Sequence, residues 1–455
     1  MAIEFFYEKP QKVYPIYLVS ANADISGQIP DAARAFSKKQ NFAGNKGELL
    51  LFPTVTGDIG GAIFGVGDDD NPFITGKLAT LLPEGVWYFE GVVNNPMLSL
   101  LAMFLGGYQF DRYRSKTTTK TVGVYVEPEV DRAELERLCQ AIKLTRDLIN
   151  TPANDMTPYD IQNSVIAVGA QYEAEVNAII GDDLLTENFP LIHAVGRAGS
   201  VAPRMIELKW GYESAPKVTL VGKGVSFDSG GLDLKSSSTM LLMKKDMGGA
   251  ANVLGLAQLI MDAKLPVRLH LLIPAVENAV SGNAFRPGDI LPSRKGLSVE
   301  IGNTDAEGRL ILADALAYGD SLSPDLLIDM ATLTGAARVA LGPELPAFFS
   351  NDNKFADDVM RLGFSIYDPM WRLPLWQPYM KRLDSPIADI NNVTSDGFAG
   401  SITAGLFLSR FVDKARTWGH FDIYGWSAEE RPGFPVGGEA QCIRAIYQLL
   451  KDKYV

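Results

Sequence analysis

Two segments of this chain concentrate residues that could do chemistry. The first runs from Val221 to Gly231, contains Lys223 and Asp228, and is followed by Lys235 and Asp246. The second, Asn303–Arg309, contains Asp305, Glu307 and Arg309. Each lies where an apolar run gives way to a glycine-rich turn. Gly222, Gly224, Gly230, Gly231, Gly248 and Gly249 permit the close backbone approach and positive φ that a compact ion site needs. If Asp228, Asp246, Asp305 and Glu307 converge, their mutual repulsion raises their pKa values unless cations intervene. Two divalent ions would balance four carboxylates. Oxygen-rich ligands suit magnesium and manganese and, less selectively, zinc. Each residue also has a purely structural reading. Thr304-x-x-Glu307 fits a capping box, Asp246 could cap a helix starting at Gly248, and Lys223 could be a solvated strand-end lysine.

Other chemistries fail on spacing. His193, His270 and His420 are the only histidines, and no His-Glu-x-x-His occurs. Phe227 takes the first glycine position of a Gly-x-Ser-x-Gly around Ser229. There is no Walker loop, and no complete Gly-x-Gly-x-x-Gly around Gly222. A two-metal phosphohydrolase is the enzymatic alternative, but such sites usually include histidine ligands and neither segment holds one.

The elements that must position these residues read as α/β. Short apolar runs at Val13–Val19, Leu49–Leu51, Ala62–Val66, Val86–Phe89 and Thr121–Val126 predict strands, with a helix over Pro96–Tyr113 between the last two. Asp131–Ile149 has helical spacing at Leu135, Leu138, Ile142 and Leu148 and predicts a bridging helix. Beyond it, strands at Lys217–Phe227, Val267–Pro274, Leu297–Ile301 and Leu326–Leu333 alternate with helices at Gly248–Ala263 and Glu307–Gly319. Such alternation predicts a mostly parallel central sheet flanked by helices, with the ligand site beyond the carboxyl ends of its strands. The expected organisation is a small N-terminal α/β domain (1–128), a bridging helix (129–150) and a larger C-terminal α/β domain (151–455).

The chain has 455 residues and a formal net charge of −12, which argues against a dedicated nucleic-acid surface. Its two cysteines, Cys139 and Cys442, lie far apart and fit a reducing compartment better than a disulfide scaffold. The start, MAIEFFYEKPQ, lacks the features of a signal peptide, and the apolar stretch Pro96–Gly106 is too short to span a bilayer. A cytoplasmic location, with no membrane association, is expected.

GKGVSFDSGG, MKKDMGGAA and NTDAEGRL resemble the signature segments of the leucyl aminopeptidase (cytosol aminopeptidase) family, and the eight residues of the last are highly specific. Arg146–Pro158, Asp329–Ala337 and Ile402–Phe411 extend the similarity. It is strong from about Arg146 onward and loose over the N-terminal third. The resemblance implies an aminopeptidase that hydrolyses the N-terminal residue from peptides through a hydroxide bridging two divalent metals. Those would be zinc or manganese, with magnesium or cobalt compatible. Asp228 and Glu307 match the bridging carboxylates, Lys223 and Asp246 ligands of the tighter metal, and Asp305 a ligand of the more exchangeable one. Lys235 and Arg309 match the catalytic cations, the arginine holding a bicarbonate that acts as general base. Met243, Thr332, Leu333, Gly335 and Ala336 match the pocket for the first substrate side chain. The resemblance further implies a homo-hexamer and a role in peptide catabolism. Some relatives bind DNA as accessory proteins, an alternative that the acidic charge disfavours. This sequence departs from the pattern at Ser236, where relatives carry proline. It departs again at Tyr424, Trp426 and Ser427, where small or flexible residues line the pocket. The reaction therefore carries over more firmly than a preference for leucine.

Overall fold

The computed structural model of the chain describes residues 2–21, 29–69, 71–115 and 120–455. These form two compact units, Met1–Lys143 with Glu429–Val436, and Leu144–Ala428 with Gly437–Val455. Helix Arg132–Asn150 runs from the first into the second.

The first unit holds a six-stranded sheet in the order Ala2–Phe6, Thr121–Tyr125, Gly85–Glu90, Tyr14–Ser20, Ile59–Gly67, Leu49–Pro53. All neighbours are parallel except the last pair. The helix expected over Pro96–Tyr113 stops at Gly106, where a second glycine follows and chain propensity falls. Its start is fixed by Asn95, whose side chain accepts from the Leu98 N–H at 3.1 Å.

The second unit is built on a nine-stranded sheet. Its parallel middle runs Thr417–Asp422, Leu326–Ala331, Lys217–Gly222, Arg268–Asn278. These strands are buried along most of their length and largely apolar, as strands covered on both faces tend to be, with His420 and Asp329 buried as a hydrogen-bonded pair. Antiparallel strands flank them at Arg204–Trp210 and Ala347–Ser350. Two expectations are corrected here. Leu297–Ile301 does give a strand, Ser298–Glu300, but it belongs to a separate three-stranded sheet with Ile290–Pro292 and Ile390–Asn391. And the strand read as continuous from Lys217 to Phe227 breaks at Lys223 into Lys217–Gly222 and Gly224–Asp228.

Arg146, from one of the family-like segments, has a structural task. Its side chain is fully buried, and its Nη2 donates to Glu439 Oε2 at 2.9 Å. Burial pushes the Glu439 carboxyl up, and Arg146 opposes that shift. Arg146→Met would strand a buried carboxylate, and about 3–5 kcal/mol of unfolding free energy should be lost. Urea unfolding checks this; a change below about 1 kcal/mol would mean that the pair is dispensable.

Candidate metal centre

The break at Lys223 is what builds the site. The Lys223 N–H donates to Met330 O at 3.0 Å, and its carbonyl accepts from the Ala250 N–H at 2.8 Å. The residue is therefore pinned between a neighbouring strand and the helix Gly248–Asp262. Its side chain runs against the start of helix Gly308–Ser321, where a Cβ on Gly308 would collide with Lys223 Cε. That is the physical reason for the glycine in NTDAEGRL. Nζ ends 2.8 Å from Asp246 Oδ2 and 2.9 Å from Glu307 Oε1, and donates to Thr332 O at 3.2 Å.

Asp228 closes the strand Gly224–Asp228. Its Oδ1 accepts from the Gly230 N–H at 2.9 Å and from Asn278 Nδ2 at 2.8 Å. Gly230 has φ +88°, which only glycine adopts freely. The other oxygen lies 2.8 Å from Lys235 Nζ, which also pairs with Asp305 Oδ1. Asn278 and Thr304 tie the two chemical segments together. Asn278 Nδ2 donates to Thr304 O at 3.1 Å, and Thr304 Oγ1 donates to Gly230 O at 2.7 Å. Sequence reasoning missed Asn278; its only signal is a polar residue closing an otherwise apolar strand.

The sequence-predicted ligands Lys223, Asp228, Asp246, Asp305 and Glu307 thus meet in one place, with Lys235 among them. All but Asp305 and Lys235 are buried. Arg309 is buried nearby on the first helical turn, but makes no ion pair among the described residues; its Nη1 donates to Asn392 O at 2.7 Å. Burial lowers its pKa to about 10. The residues expected to line a substrate pocket lie at strand and helix ends. Met243 opens the turn Met243–Met247 that carries Asp246, Thr332 and Leu333 follow the strand Leu326–Ala331, and Gly335 and Ala336 start the helix Gly335–Leu341. Thr332 Oγ1 donates to Asp246 Oδ1 at 2.7 Å, which ties this group to the carboxylate centre. Asp422, also missed from sequence, shapes the loop by accepting from the Leu333 and Thr334 N–H groups, each at 3.1 Å.

The structural alternatives are overturned. Thr304 and Glu307 make no capping box, because the Thr304 hydroxyl is committed to Gly230 and Glu307 makes no side-chain cap bond. Asp246 does not cap the helix at Gly248. Lys223, at 3% exposure, is not a solvated lysine. The missing proline after Lys235 is compensated. Ser236 adopts φ −62°, the value a proline would impose, and its hydroxyl caps the short helix Ser237–Met240. The Lys235 N–H is further fixed on Ser229 O at 3.0 Å.

The electrostatics follow from crowding. Burial and the neighbouring Asp246 push Asp228 up to about 6. Burial and Asp228 raise Glu307 well above the carboxylate range. Burial works against the charge on Lys223, but Asp246, Glu307 and Asp228 outweigh it and raise its pKa. Single oxygens of Asp228, Asp305 and Glu307 lie within 4.8 Å of one another, a spacing that could hold a metal ion. Asp246 Oδ2 and Glu307 Oε1 are buried and lack an aligned hydrogen bond; Lys223 Nζ is the cation within ion-pair distance of both. Buried acceptors held this way are costly unless a cation serves them, so the donor set fits hard divalent ions. Two cavities elsewhere, of about 470 and 520 Å³, contain none of these residues.

A parallel α/β sheet whose strand ends deliver carboxylates and lysines into one buried centre defines a metal-dependent hydrolase. Residues 143–447 match the cytosol aminopeptidase family, catalytic domain, and residues 18–124 match the M17 aminopeptidase N-terminal domain. A probable cytosol aminopeptidase of Chlorobium limicola is 38% identical over 394 residues, covering 81% of this chain and 78% of the relative. One from Geobacter sulfurreducens is 40% identical over 363 residues, covering 76% and 73%. The crystal structure of a cytosol aminopeptidase from Coxiella burnetii superposes with TM-score 0.95 at 45% identity, covering 99% of both chains. The bottromycin maturation enzyme BotP in complex with Mn superposes with TM-score 0.87 at 29% identity, covering 97% of this chain and 99% of that one. The chain belongs to the cytosol aminopeptidase family and is a metal-dependent aminopeptidase acting on peptides. The phosphohydrolase and DNA-binding alternatives gain no support from these relatives.

Proposed function

We propose that Asp228, Asp246, Asp305, Glu307 and Lys223 hold two divalent cations, and that Lys235 and Arg309 act on the reacting atoms as peptides lose their first residue. The observation that carries this reading is the meeting of two segments some seventy positions apart, with oxygens of Asp228, Asp305 and Glu307 within 4.8 Å. When bound, the two cations supply a nucleophile ionised at neutral pH, polarise the scissile carbonyl and hold the substrate's free α-amine.

The chain's own residues do the rest. Asp228 and Glu307 stand between the two lysines and bridge the centre. Lys223 can lend its nitrogen only after losing the proton that these carboxylates now stabilise. Lys235 keeps its proton, because Asp228 and Glu307 outweigh its burial, and its ammonium stabilises the charge that develops on the carbonyl oxygen. Arg309 is the proposed holder of bicarbonate as general base; its Nε is buried without a partner and so remains free to donate. Zinc or manganese is the proposed metal, manganese being supported by the BotP complex. A hexamer is proposed from the resemblance, and sedimentation tests it. The relatives' description as cytosol aminopeptidases supports a cytoplasmic location. No helix among the described residues is long and apolar enough to cross a membrane.

The test is release of the N-terminal residue from unblocked dipeptides and from their N-acetylated twins, with manganese or zinc and after chelation. Cleavage of the free-amine peptides alone, lost on chelation, is the expected result. Equal cleavage of acetylated peptides would remove the proposed role of the α-amine.

A further inference from the structure

Tyr424 is the largest departure from the family pattern, and its surroundings are unusual. It sits in the turn after strand Thr417–Asp422, and its position is fixed. The N–H groups of Tyr424 and Gly425 both donate to Gln441 Oε1 at 2.9 Å, and Gln441 Nε2 donates to Pro343 O at 3.0 Å. Gly425 has φ +66° and packs on Thr332, where a Cβ would come within 3.3 Å of Thr332 Cγ2. The turn is thus held against a residue of the first-side-chain pocket.

Two cations lie on the Tyr424 ring. Lys245 Nζ is 4.6 Å from the ring centroid and Arg338 Cζ is 4.8 Å away. Lys245 belongs to the same turn as Met243 and Asp246. The Arg338 guanidinium borders exposed Gly335, whose Cβ, if present, would lie 3.6 Å from Nη2. Both Gly335 and Met243 are pocket positions. Neither Lys245 nor Arg338 forms an ion pair among the described residues; the guanidinium has only the Thr334 carbonyl, at 3.0 Å from Nη1. The nearby carboxylate of Asp422 is committed to Leu333, Thr334 and Ser401. Lys245 is 2% exposed, and burial lowers its pKa to about 7 against the pull of Asp246, so it backs the ring rather than facing a ligand. Arg338, half-buried and without a carboxylate partner among the described residues, is the cation that an incoming carboxylate can pair with.

We propose that Arg338 and Tyr424, backed by Lys245, form the recognition surface for the substrate's first side chain, and that this enzyme preferentially releases N-terminal glutamate and aspartate. This rests on the aminopeptidase reading above. A side-chain carboxylate gains the Arg338 guanidinium, whose side-chain hydrogen bond goes only to the Thr334 carbonyl. A lysine or arginine meets like charge on a ring face already occupied by cations. A branched aliphatic side chain meets an aromatic ring where relatives leave room.

The manganese-loaded full chain would be assayed on Glu-Ala, Asp-Ala, Leu-Ala and Lys-Ala, together with Arg338→Leu and Arg338→Lys. The acidic dipeptides should have the highest kcat/KM and Lys-Ala the lowest. Arg338→Leu should lower the Glu-to-Leu ratio by about tenfold or more, and Arg338→Lys, which keeps the charge, by less. Because the ratio is taken within one variant, a partial loss of folded enzyme cancels. Leu-Ala cleaved better than Glu-Ala by the unaltered chain would overturn the proposal without any variant and leave the aminopeptidase reading intact. A Glu-to-Leu ratio untouched by Arg338→Leu would also overturn it. No cleavage of any dipeptide would remove both readings.

Discussion

Asp228→Ala is expected to lower kcat on the order of a thousandfold or more and to reduce the number of metal ions bound. Asp228 is the hinge of the centre. One oxygen is oriented by Gly230 and Asn278, while the other faces Lys235. Its removal leaves Lys235 with Asp305 alone and takes one of the three clustered oxygens away. Loss of folding is not the expected cause. Burial and Asp246 raise the Asp228 carboxyl to about 6, so its charged form is disfavoured in the folded chain. The sign follows from linkage. The penalty is absent below the unfolded carboxylate range, grows as pH rises toward 6, and is complete above it. At pH 7 in the absence of added metal, Asp228→Asn should therefore be at least as stable as the unaltered chain, yet still inactive. Calorimetric metal titration, thermal unfolding and initial rates on one dipeptide separate these effects. Activity within tenfold of the unaltered enzyme would place the chemistry elsewhere.

Why the proposed ligands were legible from the sequence, and their supports less so, has a physical basis. Lys223, Asp228, Asp305 and Glu307 interrupt apolar runs next to glycines, and although each has a structural reading alone, their joint charge beside those glycines and the family-like segments around them point to one site. Periodicity found three of the four parallel strands of the second unit, because buried strands read as apolar runs, but it missed Thr417–Asp422, where Thr417, His420 and Asp422 interrupt the run. It could not find the break at Lys223, since Val225 and Phe227 keep the pattern going. Nor could it separate Ser298–Glu300 from the central sheet, as pairing partners are a matter of long-range contact. Nothing local marks Glu429–Val436 as part of the first unit. Asn278 and Asp422 were invisible because their importance lies in hydrogen bonds to residues far away in the chain. The same holds for Lys245, whose neighbours Tyr424 and Arg338 come from different elements.

Lys235→Met should lower kcat by about 10²–10³-fold with little change in KM or in metal binding. Two lysines touch the carboxylates, and the structure distinguishes them. The Lys223 side chain is 4% exposed and lies between Asp246 and Glu307; that of Lys235 is 10% exposed, against a more open Asp305. Lys235 is therefore the one a substrate can reach. The carboxylates raise its pKa against the effect of burial, so its charge persists across neutral and mildly alkaline pH. Loss of rate on the alkaline side would then belong to another group, and the limb should survive in Lys235→Met. Lys235→Arg should recover only part of the rate. A planar fork cannot keep both the Asp228 and Asp305 contacts and still direct an N–H at one carbonyl oxygen. Lys223→Met provides the contrast, because its loss should appear in metal titration as well as in rate. If Lys235→Met instead raised KM and left kcat unchanged, the ammonium would bind ground state and transition state alike. Its place in the mechanism would then be substrate positioning rather than charge stabilisation.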